Sequence, residues 1–234
     1  MFAKYLTEFI GTFFLVLTIG LTQGVAMAPL AIGCSLMIMV YMGGHVSGGH
    51  YNPAVSLAAA LRGAMSMVDL IPYWVSQVAG SLAAAYVVSI VISPAEATET
   101  AAAVSNFFGP APNADAGYTL SSPGPWIVEI LFTFALALVV LQTATSAGTK
   151  NNSFYGLAIG FTVVVAAFAG GGISGGAFNP AVGIGPNVVN QFMGGAEGAI
   201  SNCGLHVVGP LIGGALAAFV FQIQEMYVVK QENA

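Results

Sequence analysis

Val46-Ser-Gly-Gly-His-Tyr-Asn-Pro-Ala-Val55 returns later in the chain as Ile173-Ser-Gly-Gly-Ala-Phe-Asn-Pro-Ala-Val182, 127 residues on. Asn is a favoured helix N-cap, and Pro is favoured at the first helical position, where its missing N–H is no loss. Each copy therefore predicts a helix that begins at Pro53 or Pro180 and is capped by Asn52 or Asn179. The glycines just ahead let an irregular backbone turn tightly. Pro53 to Arg62 is ten residues, roughly 15 Å of helix, or half of a bilayer's hydrocarbon core. The segment is apolar until its final Arg. Pro180 to Gln191 is the corresponding segment of the second copy. Irregular backbone at such a depth is tolerated only where it is buried or lines a wet cavity.

Working outward, the composition makes lipid the solvent. Of 234 residues, 57% are hydrophobic and only 6% charged, against about 25% in a soluble domain. Four Lys and Arg against nine Asp and Glu leave no basic footprint for nucleic acid. Cys34 and Cys203 are too few for a disulfide framework and lack metal-ligand spacing; they read as buried small side chains. The first apolar run, Phe9 to Gly24, lacks a convincing small-residue cleavage site and flows into more membrane sequence, so it is read as a span and not as a cleavable leader. Six runs are long enough to cross a core of about 30 Å: Tyr5–Gly24, Leu30–Val46, Val68–Ile92, Pro125–Ser146, Phe154–Gly170 and Gly204–Val228. The second and fifth are short and end in glycine-rich sequence.

With six spans, Lys4, Arg62, Lys150 and Lys230 all fall on one side. By the positive-inside rule that side is cytoplasmic, and both termini with it. The longest loop, residues 93–124, then lies outside. It carries Glu96, Glu99 and Asp115 and reads as an irregular polar connector.

The repeat extends beyond the motif. Glu8, Thr12 and Phe13 are answered by Glu129, Thr133 and Phe134, and Ala79–Ala85 is echoed by Ile212–Ala218. The expected organisation is one domain over residues 1–234, with repeats of about 1–92 and 125–234 joined by the outer loop. Three spans per repeat give the halves opposite orientations. In such inverted repeats the functional site lies at the midplane where the halves meet. Two helix N-termini would face each other there, each with about half a positive charge. A cation, protons included, is repelled; a neutral molecule is not. Capping uses the Asn side-chain oxygen, so each NH2 is expected to remain free to donate into the lumen. Two donors without a nearby acceptor would orient a passing water through its oxygen and interrupt a proton wire.

Along nearly its whole length the chain resembles the aquaporin, or major intrinsic protein, family. Ser47–Val55, Gly175–Ala181 and Val208-Gly-Pro-Leu-Ile-Gly-Gly-Ala215 are the family-like strings. The resemblance implies an all-α membrane protein, six transmembrane helices and two re-entrant half-helices in an inverted repeat, with one pore per subunit in a homotetramer. It implies a passive channel for water and small neutral solutes that excludes protons and ions, with no cofactor. The pore motifs would be Asn52, Pro53, Ala54 and Asn179, Pro180, Ala181.

The chain departs from the water-selective pattern at the family's narrowest point. Counted from the motifs, that point falls on Ile32, Ala167, Gly176 and Val182, where water-selective members carry Arg, His and an aromatic. A fixed Arg would hinder cations and supply donors; Val182 does neither, so a wider and more apolar aperture is expected. The set looks most like some plant vacuolar-membrane intrinsic proteins, which also carry Val and often pass urea, glycerol, ammonia or peroxide. A slip of one residue in the fifth span would put Phe168 in the pore in place of Ala167.

Glu8 and Glu129 sit in apolar spans, where a carboxylate is costly unless satisfied. The favoured reading, by analogy with the family, is that each accepts backbone N–H groups of the glycine-rich loops. A coupled proton site, as in an ion- or proton-coupled secondary transporter, is the alternative. His45 and His50 are expected to pack and hydrogen-bond to the first loop. His206 is placed near the outer mouth. Gly80 and Ala84, and Gly209 and Gly213, are small-residue pairs suited to close helix packing. There is no metal cluster, nucleophile–base pair or phosphate loop to suggest an enzyme.

Overall fold

The structure, a computed structural model, describes residues 1–92, 123–193 and 199–232. The loop expected over 93–124, with Glu96, Glu99 and Asp115, lies outside the described residues apart from its last two. The described chain is helical: α1 (Phe2–Leu21), α2 (Ala28–Ser47), α3 (Pro53–Leu61), α4 (Met67–Val91), α5 (Gly124–Ala144), α6 (Tyr155–Ser174), α7 (Pro180–Phe192) and α8 (Cys203–Glu232). Six of these are long and apolar enough to cross a membrane. Twenty residues give about 30 Å of helix, one hydrocarbon core.

The two runs that looked short are both 20-residue helices. Gly43-Gly44 and Gly170-Gly171-Gly172 stay helical, because a backbone in lipid must satisfy its own hydrogen bonds and lipid offers no alternative partner. The helices stop at Gly48 (φ 95°) and Gly175 (φ 91°), left-handed caps that a Cβ would disfavour. α3 and α7, of 9 and 13 residues, are only about 14 and 20 Å long.

The packing repeats with the sequence. α1 lies on α2 and α4, as α5 lies on α6 and α8; α3 packs on α8, and α7 on α4. Each half-helix thus leans on the last helix of the opposite half. α2 crosses α6 at Gly33 and Gly160. A Cβ on either glycine would come 2.5 Å from the other's carbonyl oxygen, so the contact is backbone to backbone. Gly80 and Gly213 sit equally tightly on the carbonyls of Phe9 and Ile130.

Candidate functional site: a lumen between two facing half-helices

Asn52 Oδ1 accepts from the backbone N–H of Ala54 (2.8 Å) and Val55 (3.4 Å), and Asn179 Oδ1 from that of Ala181 (3.0 Å). The caps form as their residue types dictate. The amide nitrogens do something the sequence does not predict. Asn52 Nδ2 donates to the carbonyl of Phe178, and Asn179 Nδ2 to that of Tyr51, each at 2.9 Å. The expected free NH2 groups are therefore half committed: one hydrogen of each ties the two loops together, and one remains. These reciprocal bonds hold the N-termini of α3 and α7 tip to tip.

Tyr51 (φ 50°) and Phe178 (φ 48°) are left-handed without being glycine, a conformation that costs about 1–2 kcal/mol each. The buried carboxylates over-determine them. Glu8 accepts from Ser47 Oγ (2.6 Å), His50 N (3.0 Å), Tyr51 N (2.6 Å) and Gln77 Nε2 (2.8 Å). Glu129 accepts from Ser174 Oγ (2.7 Å), Ala177 N (3.0 Å) and Phe178 N (2.7 Å). Both residues are fully buried. Loop N–H groups that would be orphaned in a membrane are thereby satisfied. The second carboxylate also has a basic group near it, which sequence spacing missed: His206 Nε2 lies 4.0 Å from Glu129 Oε1.

Both half-helices are held at their N-terminal ends, and α3 at its far end too. Trp74 Nε1 donates to the Pro53 carbonyl (2.9 Å) and Ser81 Oγ to that of Ala181 (2.6 Å). At the far end of α3, Arg62 donates to Thr145 Oγ1 (2.9 Å) and the Thr145 carbonyl. Its guanidinium stacks 4.9 Å from the centre of the Phe221 ring. A cation there also suits the negative end of the helix dipole.

A cavity of about 280 Å³ runs between the halves, and Asn52, Asn179, Ile32, Ala167, Gly176 and Val182 all line it. Ala167 faces the cavity; Phe168 is exposed on the outer surface. Gly175 and Gly176 form part of one wall, and no Asp, Glu, Lys or Arg is among the lining residues. A second cavity, of about 1020 Å³, opens on the face that carries Lys4, Arg62 and Lys150, and Asp69 and Glu225 line it too. His50, Val140 and Ile159 line both cavities, so the two abut at that level. His50 Nδ1 lies 3.1 Å from Ser56 Oγ. His45 does not pack against the loop as expected; it is exposed and lines the second cavity, on the opposite side of the last turn of α2 from the buried Gly43 and Ser47. Cys34 and Cys203 are unpaired and half-buried rather than buried. Among the described residues no His, Cys, Asp and Glu cluster could hold a metal.

Six spans, two half-helices meeting at their N-termini and an uncharged cavity along the meeting point define a polytopic membrane channel. Comparison with known proteins agrees. The model of the major intrinsic protein family matches residues 1–221. A glycerol uptake facilitator protein-like 6 from Lactiplantibacillus plantarum is 33% identical over 94% of this chain and 97% of its own length. A probable aquaporin TIP1-2 from rice, Oryza sativa, is 34% identical over 86% of this chain and 72% of its own. The crystal structure of the aquaglyceroporin from Plasmodium falciparum superposes with a TM-score of 0.80 over 94% of both chains, at 17% identity. The chain belongs to the major intrinsic protein family and is a multi-pass integral membrane protein.

Proposed function

We propose that the chain conducts water and small neutral solutes such as glycerol, urea, ammonia or hydrogen peroxide passively through the lumen described above. The observation that carries this reading is that Asn52 and Asn179, capping half-helices that enter from opposite directions, line one uncharged cavity. Facing N-termini oppose cations, and the remaining Asn hydrogens act as donors to a passing oxygen. Ile32, Ala167, Gly176 and Val182 form the aperture, with only backbone to offer hydrogen bonds there. Glu8, Glu129 and His50 support the two loops. The relatives' names point the same way, since both glycerol facilitator and aquaporin appear among them.

In this reading the face bearing Lys4, Arg62, Lys150 and Lys230 is cytoplasmic, with both termini on it. The functional unit is a single domain of two inverted repeats, about 1–92 and 125–234, and the assembly is a homotetramer. A coupled transporter would need a charged or carbonyl-rich ion site, and the outer cavity offers no charged side chain. Stopped-flow light scattering on proteoliposomes tests the proposal. Rapid osmotic shrinkage with no response to an imposed pH or sodium gradient supports a channel; flux that follows either gradient sinks it.

A further inference from the structure

The aperture has no polar side chain, so its hydrogen bonding comes from the backbone of residues 175–178. Whatever holds that backbone helps to set what passes. Ser174, the last residue of α6, is gripped twice. Its hydroxyl donates to Glu129, and its carbonyl lies 2.8 Å from His206 Nε2. A carbonyl only accepts, so Nε2 carries the proton. The first repeat makes the same contact with another side chain: Tyr73 Oη donates to the Ser47 carbonyl at 2.6 Å. Ser47 and Ser174 are 127 residues apart, and Tyr73 and His206 are 133 apart, the offsets of the motifs and of the last helices.

An imidazole reaches less far than a phenol, so α8 must come close to α7. Gly183, directly after Val182, allows it: a Cβ there would lie 2.3 Å from His206 Cβ. The equivalent residue of the first repeat is Ser56, whose Oγ accepts from Gln77 at 2.9 Å. The second repeat has thus exchanged a long donor and a serine for a short donor and a glycine, beside the aperture.

We propose that His206 is a positioning residue that sets the aperture by anchoring the Ser174 carbonyl, and that Gly183 is the partner that makes its short reach sufficient. This rests on the channel reading above. The test compares glycerol and water flux in proteoliposomes for wild type, His206→Gln, His206→Leu, Gly183→Ala and Tyr73→Phe. Gln offers an uncharged donor of similar reach; Leu offers none. His206→Gln keeps the glycerol-to-water ratio, whereas His206→Leu and Gly183→Ala lower it by about fivefold, the larger solute needing the fully held wall. Tyr73→Phe makes the matching deletion in the inner loop and leaves the ratio unchanged, although both fluxes fall. Hydrogen–deuterium exchange over residues 175–178 rises in His206→Leu and not in His206→Gln. A wild-type ratio in folded His206→Leu, or His206→Gln failing alongside it, overturns the assignment. Wild type that passes nothing sinks the channel reading instead and leaves the exchange test standing.

Discussion

Asn52 and Asn179 each have one amide hydrogen committed across the molecule and one left for the lumen. Asn52→Asp separates these roles. The oxygen still caps α3, but an acceptor now faces the Phe178 carbonyl, and a negative charge sits where two dipole ends had excluded cations. The expected result is a lower melting temperature and a proton leak, read with a pH dye in loaded vesicles, where wild type shows none. At the proposed aperture, Val182→Arg brings donors and a fixed charge into a cavity lined by no Asp, Glu, Lys or Arg. It should depress glycerol and urea flux far more than water flux; equal losses would count against the aperture assignment. The two carboxylates are not equivalent. Glu8 accepts four hydrogen bonds and Glu129 accepts three. Each buried donor left unpaired costs about 1–3 kcal/mol, so Glu8→Gln should lower thermal stability in detergent more than Glu129→Gln. The reverse order would mean that Gln77 adds nothing to the Glu8 site.

The elements were legible in the sequence because each carries its own physical signal. Six apolar runs had the length that a bilayer demands, and two Asn-Pro pairs marked the starts of α3 and α7. The end of the fifth span was missed by four residues, Gly170 expected against Ser174 observed, whereas α2 ends one residue past the expected Val46; glycine reads as a breaker in water but remains helical where no solvent competes for the backbone. The left-handed Tyr51 and Phe178 could not be read at all: neither residue type signals a positive φ, and the bonds that enforce it come from Glu8 and Glu129, distant in sequence. Nor could the grip of His206 on Ser174 be read, because it depends on how closely α8 approaches α7. Element packing has its own test at the crossing of α2 and α6. Gly33→Leu forces a side chain into the Gly160 carbonyl, and overpacking of this kind costs about 1–3 kcal/mol. Lower stability in detergent, with the helical circular dichroism retained, is the expected signature; an unchanged melting temperature would mean that the two helices part without cost.

For the whole molecule, the distribution of charge separates a channel from a coupled pump. Lys4, Arg62, Lys150, Asp69 and Glu225 line the wide cavity on one face, while the smaller cavity beside Asn52 and Asn179 is lined by no Asp, Glu, Lys or Arg. The two buried carboxylates are turned into the loops and occupied by donors, not presented to the lumen. A transporter couples its substrate to an ion by binding both at one site and rocking its repeats around them. Here the repeats are cross-bonded at their centre by Asn52 and Asn179, and α2 and α6 meet backbone to backbone, so rocking would break the contacts that define the site. Flux should therefore scale linearly with the solute gradient, show the weak temperature dependence of diffusion through a standing pore, and ignore a valinomycin-clamped membrane potential. Saturation at low solute concentration, or a steep temperature dependence, would indicate that the halves do move against each other on every cycle.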